Sequence, residues 1–157
     1  MKSRRKWIVL AAAAVAAASV AAVLFWPGAG DGEIEAAPYS GNPACEKVVA
    51  KLPADLLGKS RHDTGVRGTA AWGGEAVVLR CGVTPPLPTT MRCVSVNGVD
   101  WVIDEARAER DGVRSVTTYG RRPAVEVTFF GASESAGDGL VDLTDSVKGI
   151  PQTAHCM

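Results

Sequence analysis

Residues 91–104 read MRCVSVNGVDWVID. Asn97-Gly98 is the pair preferred in a two-residue type I′ hairpin turn, where both central residues take positive φ. Folding about it sets Val96 against Val99, Ser95 against Asp100 and Val94 against Trp101. One face then carries Val94, Val96, Val99, Trp101 and Ile103, and the other carries Ser95 and Asp100. Apolar alternation and turn register agree on both strands, so the stretch predicts an antiparallel hairpin with one buried face.

The flanks extend this β pattern. Val125, Val127 and Phe129 alternate with Glu126 and Thr128, which predicts a second strand pair over 113–130 joined through Tyr119-Gly120-Arg121-Arg122. Val77, Val78 and Leu79 lead a strand into Cys81 and Gly82. Helices are expected at the two ends. Asn42-Pro43 supplies an N-cap and a first-turn proline, and Cys45, Val48, Val49 and Leu52 form one apolar stripe that ends at Pro53. A short turn is expected at 56–58. Leu140, Leu143 and Val147 recur at helical spacing before Gly149 and Pro151. Strands bracketed by helices predict an α+β domain: an antiparallel sheet with short helices at its N- and C-terminal ends.

The N-terminal part has another character. Residues 7–26, WIVLAAAAVAAASVAAVLFW, hold no charge, and only Ser19 interrupts the apolar run. A helix of that length spans about 30 Å, the thickness of a bilayer's hydrocarbon core. Trp7 and Trp26 stand at its ends, where amphipathic rings favour the lipid–water boundary. Residues 1–6 carry Lys2, Arg4, Arg5 and Lys6, a basic flank that puts the N-terminus on the cytoplasmic side. The expectation is a signal-anchor at 7–26 in contact with the lipid bilayer, with the domain outside. The alternative is a cleaved signal that leaves a secreted domain. Residues 27–41 (PGAGDGEIEAAPYSG) read as a flexible spacer, and 42–157 as the extracytoplasmic domain.

Charge supports this division. The chain holds 17 basic and 17 acidic residues, a formal net charge of zero. Four of the basic residues lie in the N-terminal flank, which leaves a mildly acidic remainder. Such a domain lacks the basic excess of a nucleic-acid binder.

Cys45, Cys81, Cys93 and Cys156 suit two disulfides in an oxidising compartment. Three pairings are open. Cys81–Cys93 is favoured because these residues flank a short proline-rich loop, and Cys45–Cys156 because domain ends often meet. No C-x-x-C occurs and no zinc spacing is present, so no metal and no cofactor are expected.

Candidate chemistry is sparse. His62-Asp63 reads as a polar loop, and His155 as a neighbour of Cys156. Asp100 and Asp104 fall on the same strand face, where a carboxylate pair is the minimum for glycoside hydrolysis. A solvated strand face explains the same pattern, and no catalytic fingerprint accompanies it. Trp72, Tyr119, Arg121 and Arg122 are the candidate binding residues, since aromatic and guanidinium groups together recognise sugars, peptides and anionic polymers. Trp72 and Trp101 also suit a Val-rich core.

The segments TAAWGGEAVVLRCGV (69–83), CVSVNGVDWVID (93–104) and TTYGRRPAVEV (117–127), with the stretch from Cys45 to Pro53, resemble the actinobacterial proteins grouped as domain of unknown function 3515. The resemblance covers about residues 43–156. It implies a membrane-anchored or secreted protein associated with the cell envelope, sometimes a lipoprotein, although this chain has no lipobox. It brings no established activity and therefore no catalytic residue. The expected function is non-catalytic binding of, or assistance to, an envelope protein or cell-wall polymer. The alternative is an envelope glycan hydrolase using Asp100 and Asp104.

Overall fold

A computed structural model of the protein describes residues 33–130 and 135–157. The expected membrane segment and basic flank lie outside the described residues. Among the described residues no helix is long and apolar enough to cross a membrane.

Eight strands form one antiparallel sheet: β1 (Asp55–Leu56), β2 (Lys59–His62), β3 (Thr69–Trp72), β4 (Val77–Val83), β5 (Cys93–Val96), β6 (Val99–Asp104), β7 (Val113–Thr118) and β8 (Ala124–Phe130). Their spatial order is β1-β2-β3-β4-β8-β7-β6-β5. Two meanders therefore meet at the β4–β8 pair, and the chain between β4 and β5 must travel from the middle of the sheet to its edge. Helix α1 (Pro43–Ala50) precedes the sheet, α2 (Glu105–Asp111) joins β6 to β7, and α3 (Ala136–Val147) follows β8.

The hairpin adopts the expected register: Val96 opposite Val99, Ser95 opposite Asp100, Val94 opposite Trp101. Asn97 and Gly98 both have positive φ, 49° and 82°. Helix α1 starts where its cap predicts, with Asn42 Oδ1 accepting the Ala44 N–H at 2.9 Å. Helix α3 begins four residues before the predicted stretch, at Ala136.

One face of the sheet carries the core. Trp72, Leu79, Cys81, Trp101, Val116, Val127 and Phe129 pack there with Cys45 and Val48 of α1 and Leu140, Leu143 and Val147 of α3. The expected turn at 56–58 is the bend of a further hairpin, β1–β2. Leu57 takes positive φ there, and its side chain packs against the core beside Gly139 of α3. Helix α2 buries no residue. Its caps define it: Asp104 Oδ1 accepts from Arg107 N at 2.9 Å, and Gly112 closes it in the left-handed region.

The folded unit runs from Ile34 to Met157, so residues 34–41 belong to the domain and not to the spacer. Tyr39 N donates to Gly82 O at 2.8 Å, Arg80 Nε donates to Glu35 O at 3.1 Å, and Ala37 is buried. Gly82 permits this contact. At its φ of +93° a Cβ would run into the Tyr39 backbone.

The disulfides are Cys45–Cys81 and Cys93–Cys156, with Cα separations of 5.4 and 5.7 Å. The expected pairing is thereby corrected, and the strand order explains why. Cys81 on β4 and Cys93 on β5 are separated by β8, β7 and β6. Four strand spacings make roughly 19 Å, whereas a disulfide tolerates at most about 7 Å between Cα atoms. Cys45 and Cys156 lie on opposite faces: Cys45 is in the helix-side core, while Cys156 joins Cys93, which pairs with Val102 on the other side.

Candidate functional site

Beyond α3 the chain forms a strap. Ile150 completes the helix-side core, and the residues that follow cross the end of the sheet to the opposite face. Hydrogen bonds and one close backbone approach help to hold the strap. Thr153 N donates to Gly120 O at 2.8 Å. Gly120 lies so close to the Ala154 backbone that a Cβ would collide with it. Gln152 Nε2 and Cys156 N both donate to Asp100 Oδ2, at 2.8 and 2.9 Å.

Asp100 is therefore not on a wet strand face. It is 5% exposed and has His155 Nδ1 at 3.5 Å from Oδ2. Burial pushes its carboxyl up, but the Cys156 N–H, the Ser95 and Gln152 hydrogen bonds and the His155 charge outweigh burial and hold it below the ordinary carboxylate range. Asp104 caps α2. Both carboxylates of the expected pair are thus engaged in structure, one under the strap and one at a helix start.

Arg121 is the second buried charge of this region, 4% exposed. Its guanidinium donates to the carbonyls of Ile150, Lys148 (3.3 Å) and Gly98 (3.1 Å) and to Gln152 Oε1 (2.9 Å). One side chain thereby ties the strap, the end of α3 and the Asn97-Gly98 turn together. Burial lowers its proton affinity and the nearby Asp100 charge raises it, with burial the larger effect. Arg121 is a clamp, unavailable to a ligand. Trp72 is likewise removed from the candidate set: it is fully buried, with Nε1 donating to Pro53 O at 3.2 Å.

Two of the four expected binding residues reach open hollows. Tyr119 lines a cleft of about 410 Å³ with Thr90, Met91, Arg92 and His155, and the Cys93–Cys156 disulfide lines the same cleft. Arg122 is exposed and lines a separate hollow of about 240 Å³ with Tyr39, Pro85 and Pro123. His62 and Asp63 line a third, of about 330 Å³, with Arg61 and Thr69. Asp63 Oδ1 there accepts the Gly65 N–H at 2.9 Å, which makes it a turn residue and not the orienter of a base. Among the described residues no group of His, Cys, Asp and Glu is arranged to hold a metal. Sequence reasoning passed over Met91, Arg92 and Gln152, because only the crossing of the β4–β5 loop and of the strap brings them beside Tyr119 and Asp100.

Across residues 8–155 the sequence matches the family model described as Protein of unknown function (DUF3515). The chain belongs to the DUF3515 family. The match takes in the hairpin, the strap as far as His155 and all cysteines but Cys156. No curated protein and no solved structure matches the chain.

Proposed function

We propose that this DUF3515 protein is a non-catalytic binding or accessory protein of the cell envelope, held at the membrane by residues 7–26 with its domain outside. The observation that carries the reading is the cleft on the open sheet face. Tyr119 offers an aromatic surface, Arg92 a guanidinium and His155 an imidazole, beside the exposed Met91. These groups suit a polar polymer or a peptide segment. Two disulfides among the described residues agree with an oxidising compartment, and the basic flank at 1–6 agrees with an outside domain. The engaged state of Asp100 and Asp104 weighs against the hydrolase alternative.

The test is photo-crosslinking in living cells from a photoreactive residue at position 119, with one at exposed Glu109 as control. A discrete adduct with an envelope protein or cell-wall polymer from 119 alone is expected. Equal labelling from both positions, or none from 119, overturns the cleft as a binding site. The mass of the native protein's N-terminal peptide tests the anchor separately: an N-terminus near residue 37 refutes it.

A further inference from the structure

The two disulfides occupy unlike surroundings. Cys45 and Cys81 are both fully buried within the core. Cys93 and Cys156 are partly exposed and form a wall of the open 410 Å³ cleft. The strap that Cys156 anchors covers two buried charges, Asp100 and Arg121.

We propose that Cys93–Cys156 is a redox modification site, a clasp opened by a dithiol that enters the cleft, and that its opening releases the strap. The incoming thiolate bonds to one clasp sulfur, and the other clasp sulfur departs as a thiolate and takes a proton. The reductant's second thiol then attacks the mixed disulfide. The dithiol becomes a disulfide, and Cys93 and Cys156 become thiols, having received two electrons and two protons from it. The same reaction at Cys45–Cys81 is blocked, because no attacking sulfur reaches a fully buried pair without unfolding the core. Once the clasp is open, residues 152–156 are held by non-covalent contacts: hydrogen bonds to Asp100, Gly120 and Arg121, the Arg121–Gln152 bridge and the His155–Asp100 approach. Release of those contacts bares a carboxylate and a guanidinium beside the cleft. Disulfide exposure and the strap contacts are the same whether or not the cleft takes an envelope ligand.

The full chain, in detergent micelles at neutral pH without denaturant, is treated with dithiothreitol or with a thioredoxin-fold dithiol protein. It is then alkylated and peptide-mapped. Cys93 and Cys156 are expected to be labelled at least ten times faster than Cys45 and Cys81. Amide exchange in residues 152–156 is expected to accelerate at least tenfold while that of α1 and β4 stays unchanged. Labelling of all four cysteines together, or of Cys45 and Cys81 first, overturns the clasp. Reduction of Cys93–Cys156 with unchanged exchange in the strap overturns the release.

Discussion

The two disulfides close loops that differ nearly twofold in length, with sequence separations of 36 and 63, but loop entropy grows only with the logarithm of length. Chain entropy assigns each about 4 kcal/mol, so loop length hardly distinguishes them. Their surroundings do. Cys45–Cys81 joins α1 to a central strand and fills core volume, with no exposure at either residue. Cys93–Cys156 joins an edge strand to a strap on the opposite face, where one wall is open cleft. The first cannot be lost without leaving a hole in the core. The second can be lost locally, because α1, α3 and the inner strands do not depend on the strap for packing. Equal covalent bonds thus have unequal structural reach.

Four variants break or sharpen that contrast. Cys45→Ala with Cys81→Ala has the largest expected effect, a loss of about 5 kcal/mol from loop entropy and core cavity together. A domain with total stability of roughly 5–15 kcal/mol is brought close to unfolding by such a loss. Urea titration followed by tryptophan fluorescence reads the midpoint. Arg121→Ala comes next, at about 3 kcal/mol, because the carbonyls of Gly98, Lys148 and Ile150 and the Gln152 amide oxygen lose their charged donor together. Arg122→Ala, one residue along and exposed, should change stability by less than about 0.5 kcal/mol. Cys93→Ala with Cys156→Ala should cost about 2 kcal/mol, less than the entropy estimate, since the strap frays before the core does. A Cys93/Cys156 loss equal to that of Cys45/Cys81 would show that both bridges staple one cooperative unit.

These contrasts also mark where sequence reading stops. The Asn97-Gly98 hairpin is legible because its turn, alternation and register are all encoded within about a dozen neighbouring residues. The Asn42-Pro43 helix start and the Leu140, Leu143, Val147 stripe are local in the same sense. The disulfide partners are not local. They follow from β4 lying four strands from β5, which no spacing of cysteines encodes. The spacer reading failed for residues 34–41 because their hold on β4 runs largely through backbone groups, which any composition supplies. Helix α2 escaped the apolar-periodicity reading since it buries nothing, yet Asp104 and Gly112 bracket it with an N-cap and a left-handed stop. In the candidate site, Tyr119 and Arg121 read alike as loop residues. The strap separates their fates by drawing Arg121 into a ring of carbonyls and leaving Tyr119 at the cleft.

Acid provides the most local test, because part of the strap's non-covalent hold passes through Asp100. Its folded carboxyl lies below its unfolded value, which is near 3.9 for an aspartate. The carboxylate therefore contributes stability that is fully present above about pH 4 to 5 and is lost as pH falls through the folded value. Protonation removes the charge that strengthens the Gln152 and Cys156 N–H bonds and adds an O–H that must find an acceptor of its own, next to the cationic Arg121. Asp100→Asn places an amide there permanently. It should cost about 1 kcal/mol at neutral pH and flatten this part of the acid dependence. Amide exchange at Cys156 and Thr153, followed from pH 6 downward, separates the cases. In the wild type, protection of these amides, corrected for intrinsic exchange, should fall with pH. In the variant it should start low and change little. With Cys93–Cys156 intact the core amides of β4 and β8 should not respond in either protein. Coupled loss of protection in β4 would mean that the strap and the core open together, and the distinction between the two bridges would then fail.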